Sequence, residues 1–451
     1  MPRPIKVTLI GAGSVFTPTL VGDLLQIPGE GGGTFALVDV DHDRLATMHR
    51  LIERQLETMH KTSRWTVESS PDRADVLGGS DYVVICIEVN GPRAIAFEND
   101  IPLKYGVDQC IGDTIGPGGL FKALRTVPSF LAILRDIERL CPRALVMNYT
   151  NPMSVLCLAA ARASSVPVVG LCHSVQGTSR LLAARAGVPY DELGWECAGI
   201  NHLAWFTRLE HEHRDLYPRL MAQAERDLAG DPADPKDAGD LIRKDMMLHF
   251  GAFITESSGH LSEYLPYYRK RADLRARYCG SDYDGGSRFY ADTWPARRLA
   301  ANETREAMVR GDRPTDRPRT YEYASWIVEA REKDTPLRIH GNVPNHAGDG
   351  AGTLITNLPA DSCVEVACLV DGNGVRPIRF GRLPAQMAAL CDSNLRVFDL
   401  AATAALEHRK EAALHALLLD PLTAAVCSPA EIKAMVLELF AAEEALLPGY
   451  K

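Results

Sequence analysis

The chain has 451 residues, 46% of them hydrophobic and 24% charged, which is the composition of a globular protein able to bury the core of two or more lobes. A formal net charge of -9 leaves no basic stripe for nucleic acid phosphates or an anionic membrane, so a small-molecule ligand is favoured. The start, MPRPIKVTLIGAG, runs straight into a glycine turn without the apolar run and cleavage site of a secretory signal. Eleven cysteines are scattered without a CxxC pair, several inside apolar runs such as VVICIEV and SVLCLAA, as expected of reduced, buried thiols, and the cytoplasm is the expected compartment. No uninterrupted apolar stretch reaches the roughly 18 to 20 residues that span a bilayer.

In chain order, short β-branched runs alternate with segments of helical period from Ile5 to about Leu171. Strands are expected at Ile5 to Ile10, Thr34 to Val40, Tyr82 to Ile87, Ala144 to Tyr149 and Val168 to Leu171. Helices are expected near Pro18 to Gln26, His42 to His60, Gly119 to Leu140 and Pro152 to Ala163. The strands are nearly continuous apolar runs, as a parallel sheet covered on both faces requires. After about Asn201 the alternation is lost, and His211 to Arg275 reads as helices and loops. Further on, strands at Gly352 to Thr356 and Val364 to Leu369 precede long helices at Pro384 to Ala405 and Pro429 to Leu446. The fold class is α/β: a Rossmann-like, doubly wound parallel sheet over residues 1–200, followed by a C-terminal α+β lobe over 201–451. The whole is of the lactate and malate dehydrogenase kind, with the second lobe covering the carboxyl ends of the strands.

The first predicted strand is followed at once by GAGSVF. Gly11 and Gly13 stand where a backbone approaches a pyrophosphate, and Ser14 opens the helix. Phe16 takes the third glycine position of the usual fingerprint. The second strand ends FALVDVD, and its Asp39 is placed to bind an adenosine ribose, which favours NAD over NADP because a carboxylate repels a 2′-phosphate.

Two later strand ends are unusually polar: MNYTNP, with Asn148 and Asn151, and GLCHSVQGT, with Cys172 and His173. Asparagines there are either turn formers or ligand contacts. Cys172 is either a core thiol or, with His202 of GINHLAWF, one of two ligands for a borderline divalent transition metal. Two protein ligands would leave positions open for substrate oxygens.

Taken in order, GAGS, GDTIGPGG at 112 to 119, NYTNPM at 148 to 153, GLCHSVQGT at 170 to 178, CAGINH at 197 to 202, ESSGHLSEY at 256 to 264 and VEVACLVDGNG resemble family 4 of the glycoside hydrolases over nearly the whole chain. This is the NAD- and manganese-dependent family, and the chain is most similar to its bacterial α-galactosidase branch of the melibiase type. CHSV is similar to the version found in members acting on unphosphorylated α-galactosides, while the family also holds galacturonidase and glucuronidase branches. The resemblance implies Cys172 and His202 as ligands of Mn2+, Asn151 and His173 as sugar contacts, Asp113 as general acid and Tyr264 as base, with Glu256, Glu263, Tyr267 and Tyr268 as competitors for that last role. It implies oxidation at C3 of the sugar by NAD, loss of the C2 proton, elimination, addition of water and return of the hydride, in contrast to the two-carboxylate route of most glycosidases. On that scheme burial should raise the Asp113 pKa and the cation should lower that of Tyr264. A homo-oligomer, dimer or tetramer, is implied as well. The rival readings are a 2-hydroxy acid dehydrogenase using NAD, which needs no cysteine and histidine pair, and a non-catalytic NAD-binding sensor.

Overall fold

The computed structural model describes residues 3–230, 239–346 and 352–451. The first half alternates strand and helix. Strands β1 (Ile5–Ile10), β2 (Gly33–Val38), β3 (Trp65–Ser70), β4 (Tyr82–Ile85), β5 (Leu145–Asn148) and β6 (Val168–Gly170) are interleaved with α1 (Thr17–Leu25), α2 (His42–Thr58), α3 (Gly91–Lys104), α4 (Gly116–Leu140) and α5 (Met153–Ala163), and α6 (Ser174–Ala186) follows β6. The six strands pair in parallel in the order β3-β2-β1-β4-β5-β6. That is the doubly wound order, whose ligand crevice opens at the carboxyl ends of β1 and β4 where the winding reverses.

Local sequence accounts for most of these elements. β1, β4 and β5 are apolar on both faces and almost wholly buried. Helix α2 starts where the Asp41 side chain accepts from the Arg44 N–H, and it turns Leu45, Met48, Ile52 and Leu56 to the sheet at intervals of three and four. Strand β3, WTVESS, is half polar and was not expected from the sequence. It is an edge strand, with Trp65 stacked on Phe35 at 4.4 Å, so only alternate side chains need be apolar.

The second half continues the same sheet. Strands β7 (Gly194–Ile200), β8 (Leu203–His211), β9 (Arg214–Asp215), β10 (Phe253–Ile254), β11 (Leu337–Pro344), β12 (Cys363–Asp371) and β13 (Gly374–Pro377) extend it in the order β6-β11-β12-β7-β8-β10, with β9 on β8 and β13 on β12. Every new pairing is antiparallel. Three expectations are thereby corrected. The segment after Asn201 is no loss of strand but one arm of the β7–β8 hairpin, whose inward Trp205 and Phe206 are fully buried. The segment His211 to Arg275 holds β9 and β10 as well as helices and loops. Gly352 to Thr356 is not a strand, since it makes a single bridge, Ile355 to Gly381, and Asn345 fastens it from the side by donating to the Ile355 carbonyl.

The parallel and antiparallel halves meet at one residue pair, Gly170 with Asn342. A methyl group on Gly170 would lie 2.5 Å from the Met153 sulfur, 2.8 Å from that of Cys157 and 2.9 Å from Asn342 Cβ, so the seam closes only over glycine. Gly170→Ala is expected to cost about 1 to 3 kcal/mol of stability through overpacking. Gly177→Ala in α6, with nothing within 4 Å of the added carbon, should be neutral or gain up to about 1 kcal/mol from helix propensity. Urea denaturation of the two variants checks this, and equal midpoints would remove the seam argument.

Candidate active site

Chain segments that the sheet brings together at the carboxyl ends of β4, β5 and β6 supply a dense set of polar side chains. Cys172 follows β6, His202 sits in the two-residue turn of the β7–β8 hairpin, and Glu256 follows β10. One ligand atom from each of the three lies within 4.8 Å of the others, and His202 Nε2 is 3.5 Å from a Glu256 carboxylate oxygen. Both His202 (φ 64°) and Glu256 (φ 74°) occupy the left-handed backbone region, which costs non-glycine residues free energy and clusters at functional sites. Glu256, read from the sequence only as a competing base, is thus a third member of the group.

This donor set fits a divalent cation. Burial drives His202 down to about 4 in spite of Glu256 beside it, so the imidazole is in the neutral form a metal needs. Burial, with Glu365 and Glu256 behind it, pushes the Cys172 thiol well above its usual range. The thiol therefore keeps its proton until a cation displaces it.

Tyr264 reaches the group from the other side, its hydroxyl 3.4 Å from His202 Nδ1. The competing groups are committed elsewhere. Glu263 accepts from the N–H groups of Cys110, Ile111 and Gly112 at 2.6 to 3.2 Å and so fixes the loop that carries Asp113. Tyr268 donates to Asp245 at 2.7 Å, and Tyr267 faces solvent. Burial together with Asp113, Glu263 and Glu256 raises Tyr264 well above 10, so the chain's own groups oppose the lowering expected for a base.

Asp113 corrects an expectation more sharply. Burial alone would raise its pKa, but Lys122 Nζ at 3.6 Å, His260 Nε2 at 3.5 Å and the Thr114 hydroxyl at 2.6 Å outweigh burial and hold the carboxyl well below the usual carboxylate range. The Asn151 amide also donates to Asp113, at 3.2 Å, which brings these two predicted residues together. Asn148 does not join them: its amide is spent on Thr150 and Met153. His173 stands half-exposed at the mouth, 3.7 Å from Glu322 and stacked near Phe16.

The glycine turn lies in the neighbouring crevice. Gly11 has φ 82°, and a Cβ there would strike the Cys86 carbonyl. The Gly13 N–H donates to Asp39 at 2.7 Å, and a Cβ there would come within 2.7 Å of the same oxygen. The other Asp39 oxygen accepts from the Asp41 N–H at 2.9 Å, so Asp39 also stiffens the turn, each oxygen keeping a lone pair for a ligand hydroxyl. The Ser14 hydroxyl accepts from the Phe16 N–H and contacts Cys86. A bare turn of this shape at the start of a helix fits a dinucleotide.

Residues 6–188 match the family 4 glycosyl hydrolases, and residues 197–423 match the C-terminal domain of that family. The chain is a family 4 glycosyl hydrolase. Over 99% of its length the hydrolase is 36% identical to an α-galactosidase of Bacillus subtilis, covering all of that protein, and 36% identical to one of Rhizobium meliloti, covering 89% of it. Its fold matches that of a 6-phospho-α-glucosidase from gut microorganisms, solved in complex with NAD and Mn2+, with a TM-score of 0.81, 20% identity and full coverage of both chains.

Residue by residue, the sequence pointed to Cys172, His202, Asp113, Asn151 and Tyr264, which the hydrolase gathers at one place. It passed over Lys122, His260 and Asn201. Both side-chain atoms of Asn201 are buried without a partner among the described residues, and its position just before His202 in GINH was the available signal. If Cys172 is a ligand, raising the pH from 6 to 8 should strengthen Mn2+ binding by about tenfold per unit, because one thiol proton is released while His202 is already neutral. Calorimetric titration of the chelator-treated hydrolase checks this; a flat profile, or the same slope in Cys172→Ser, would exclude the thiolate.

Proposed function

We propose that the protein is an α-galactosidase that hydrolyses terminal α-galactosides such as melibiose with NAD and Mn2+ as cofactors. The observation that carries this reading is the convergence of buried Cys172 and His202 with half-buried Glu256 beside Tyr264 and the Asp113–Asn151 pair, next to the Gly11–Gly13 turn. Full-length similarity to two α-galactosidases supports the choice of sugar. When bound, NAD would take and return a hydride at C3 of the sugar, and the cation would stabilise negative charge developing at the neighbouring oxygens.

The chain's own residues then have distinct tasks. Cys172, His202 and Glu256 would hold the cation, and Gly11, Gly13, Ser14 and Asp39 the dinucleotide. Asn151 orients a sugar hydroxyl. Tyr264 takes the C2 proton. Asp113, kept anionic by Lys122, is a poor proton donor as it stands; we assign it to accepting a sugar hydroxyl. We assign protonation of the leaving oxygen to His173, the half-exposed imidazole 3.7 Å from the Glu322 carboxylate.

The proposal includes the division into a cofactor domain over 1–200 and a substrate and metal lobe over 201–451, although Cys172, Asn151 and His173 come from the first. It also includes a cytoplasmic homo-oligomer. Eleven free thiols support a reducing compartment, and among the described residues no helix is long and apolar enough to cross a membrane. Exposed Leu419 and Leu437 are available for subunit contacts.

Release of nitrophenol from 4-nitrophenyl α-galactoside should require both NAD and Mn2+ after chelator treatment. Tyr264→Phe should lower kcat by about 100-fold or more while leaving NAD affinity unchanged. Cleavage confined to α-galacturonides would move the substrate to the uronidase branch, and stoichiometric NADH release without cleavage would support the dehydrogenase instead.

A further inference from the structure

The helix Phe289–Arg310 belongs to the C-terminal half, yet it lies along the dinucleotide crevice. Its start is fastened at the catalytic end, where the Arg288 N–H donates to the Gln109 carbonyl at 2.7 Å and the Tyr290 N–H to that of Cys110 at 2.9 Å. Tyr290 is close enough to Lys122, Glu88 and Asp113 to feel their charges. Its far end is fastened at the glycine turn, where Arg305 Nη1 donates to the Gly13 carbonyl at 2.5 Å, while Thr47 of α2 donates to Glu306 at 2.8 Å. Tyr290 to Arg305 spans roughly 22 Å of helix, enough to run beside an extended dinucleotide from its nicotinamide end to its adenosine end.

Arg298 stands two turns before Arg305 and so on the same side of the helix. Its half-buried guanidinium has no hydrogen-bond or ion-pair partner among the described residues. The charges around it are those of Arg44, Asp41, Glu88 and Asp39. Asp39 and Asp41 follow β2, and Glu88 follows β4, so these groups stand at the strand ends that border the crevice, and Arg298, two helical turns from the Arg305 that reaches Gly13, lies within range of their charges. Each of the three carboxylates is already engaged: Asp39 by two backbone N–H groups, Asp41 by Arg44 at 2.7 Å, and Glu88 by Lys122 at 2.7 Å. Burial and the neighbouring Arg44 hold both Arg298 and Arg305 below the ordinary arginine range, as expected where cations gather without enough counter-charge.

We propose that Arg298, seated beside Arg305, binds the diphosphate of the dinucleotide, so that a helix of the C-terminal half clamps a cofactor otherwise held by the Rossmann half. The planar guanidinium suits two non-bridging phosphate oxygens, and the diphosphate supplies the anion that Arg298 and Arg305 lack. Arg305, whose other donors go to Ala301 and Asn302, holds the turn against the helix. This inference rests on the dinucleotide reading of the Gly11–Asp39 segment.

The test is calorimetric titration of the full chain with NAD and with ADP-ribose, in the wild type and in Arg298→Ala, Arg298→Lys and Leu299→Ala. Arg298→Ala should weaken both ligands alike by about 10- to 100-fold, the range of a charge-assisted pair. Arg298→Lys should recover part of the loss, and Leu299→Ala, an exposed neighbour, should bind as the wild type. Added salt should weaken NAD binding to the wild type more than to Arg298→Ala, a readout that a merely structural role would not move. Melting temperature and Mn2+ affinity should be unchanged in Arg298→Ala. Wild-type affinity for both ligands in Arg298→Ala, or a loss of Mn2+ binding to the same extent, overturns the clamp alone; a wild-type protein that binds neither ligand overturns the dinucleotide reading with it.

Discussion

Cys172, His202 and Glu256 come from three separate chain segments and converge, the first two buried and Glu256 half-buried, and much of the surrounding structure answers the cost of holding them together. Left-handed backbone at His202 and Glu256 costs on the order of 1 to 3 kcal/mol each, and something must over-determine both positions. The β7–β8 hairpin does so for His202 by burying Trp205 and Phe206 immediately after the turn. Glu256 is held through Thr255, whose N–H donates to the Ala204 carbonyl while its hydroxyl accepts from the Ala204 N–H. The two strained positions are therefore tied together by main-chain bonds, and neither ligand can move without the other.

A second set of charges extends from Asp113. Lys122 lies between Glu88 and Asp113, and Arg125 lies between Glu98, Glu88 and Glu443, all of them buried or nearly so. Buried charges of this kind are tolerated only in company, and removing one leaves its partner unpaired. The consequence for chemistry is the sign of Asp113. Lys122, His260, Thr114 and Asn151 converge on it, so burial, which in isolation would favour the neutral acid, loses to the neighbouring positive charge and hydrogen bonding. Function here follows from the arrangement of pairs more than from the identity of any one residue.

The two halves are joined as well as stacked. The sheet crosses from one to the other at Gly170 and Asn342, two residues before Cys172, so the seam and the candidate metal site share one stretch of chain. The helix Phe289–Arg310 crosses back in the other direction, from the catalytic loop at Gln109 and Cys110 to Gly13. Cofactor crevice and cation site are thus each built from both halves, which couples their geometry.

Local pattern was enough to read five of the six parallel strands, the helices α1, α2, α4 and α5 though not α3 or α6, the GAGS turn and the strand-end positions of Asn151, Cys172 and His173, because continuous apolar runs and glycine turns express constraints carried by neighbouring residues. The motif resemblance then singled out His202, Asp113 and Tyr264. What the sequence could not carry is whatever depends on residues distant in the chain. Strands β11 and β12, separated by more than a hundred residues from their neighbours β6 and β7, acquire their order from pairing, and the half-polar β3 from its place at an edge. The position of Glu256 beside Cys172 and His202, the lowered pKa of Asp113 beside Lys122 and His260, and the anchoring of the helix Phe289–Arg310 on Gly13 were likewise decided by the tertiary structure alone, since burial and the distance between charges exist only once the chain has folded.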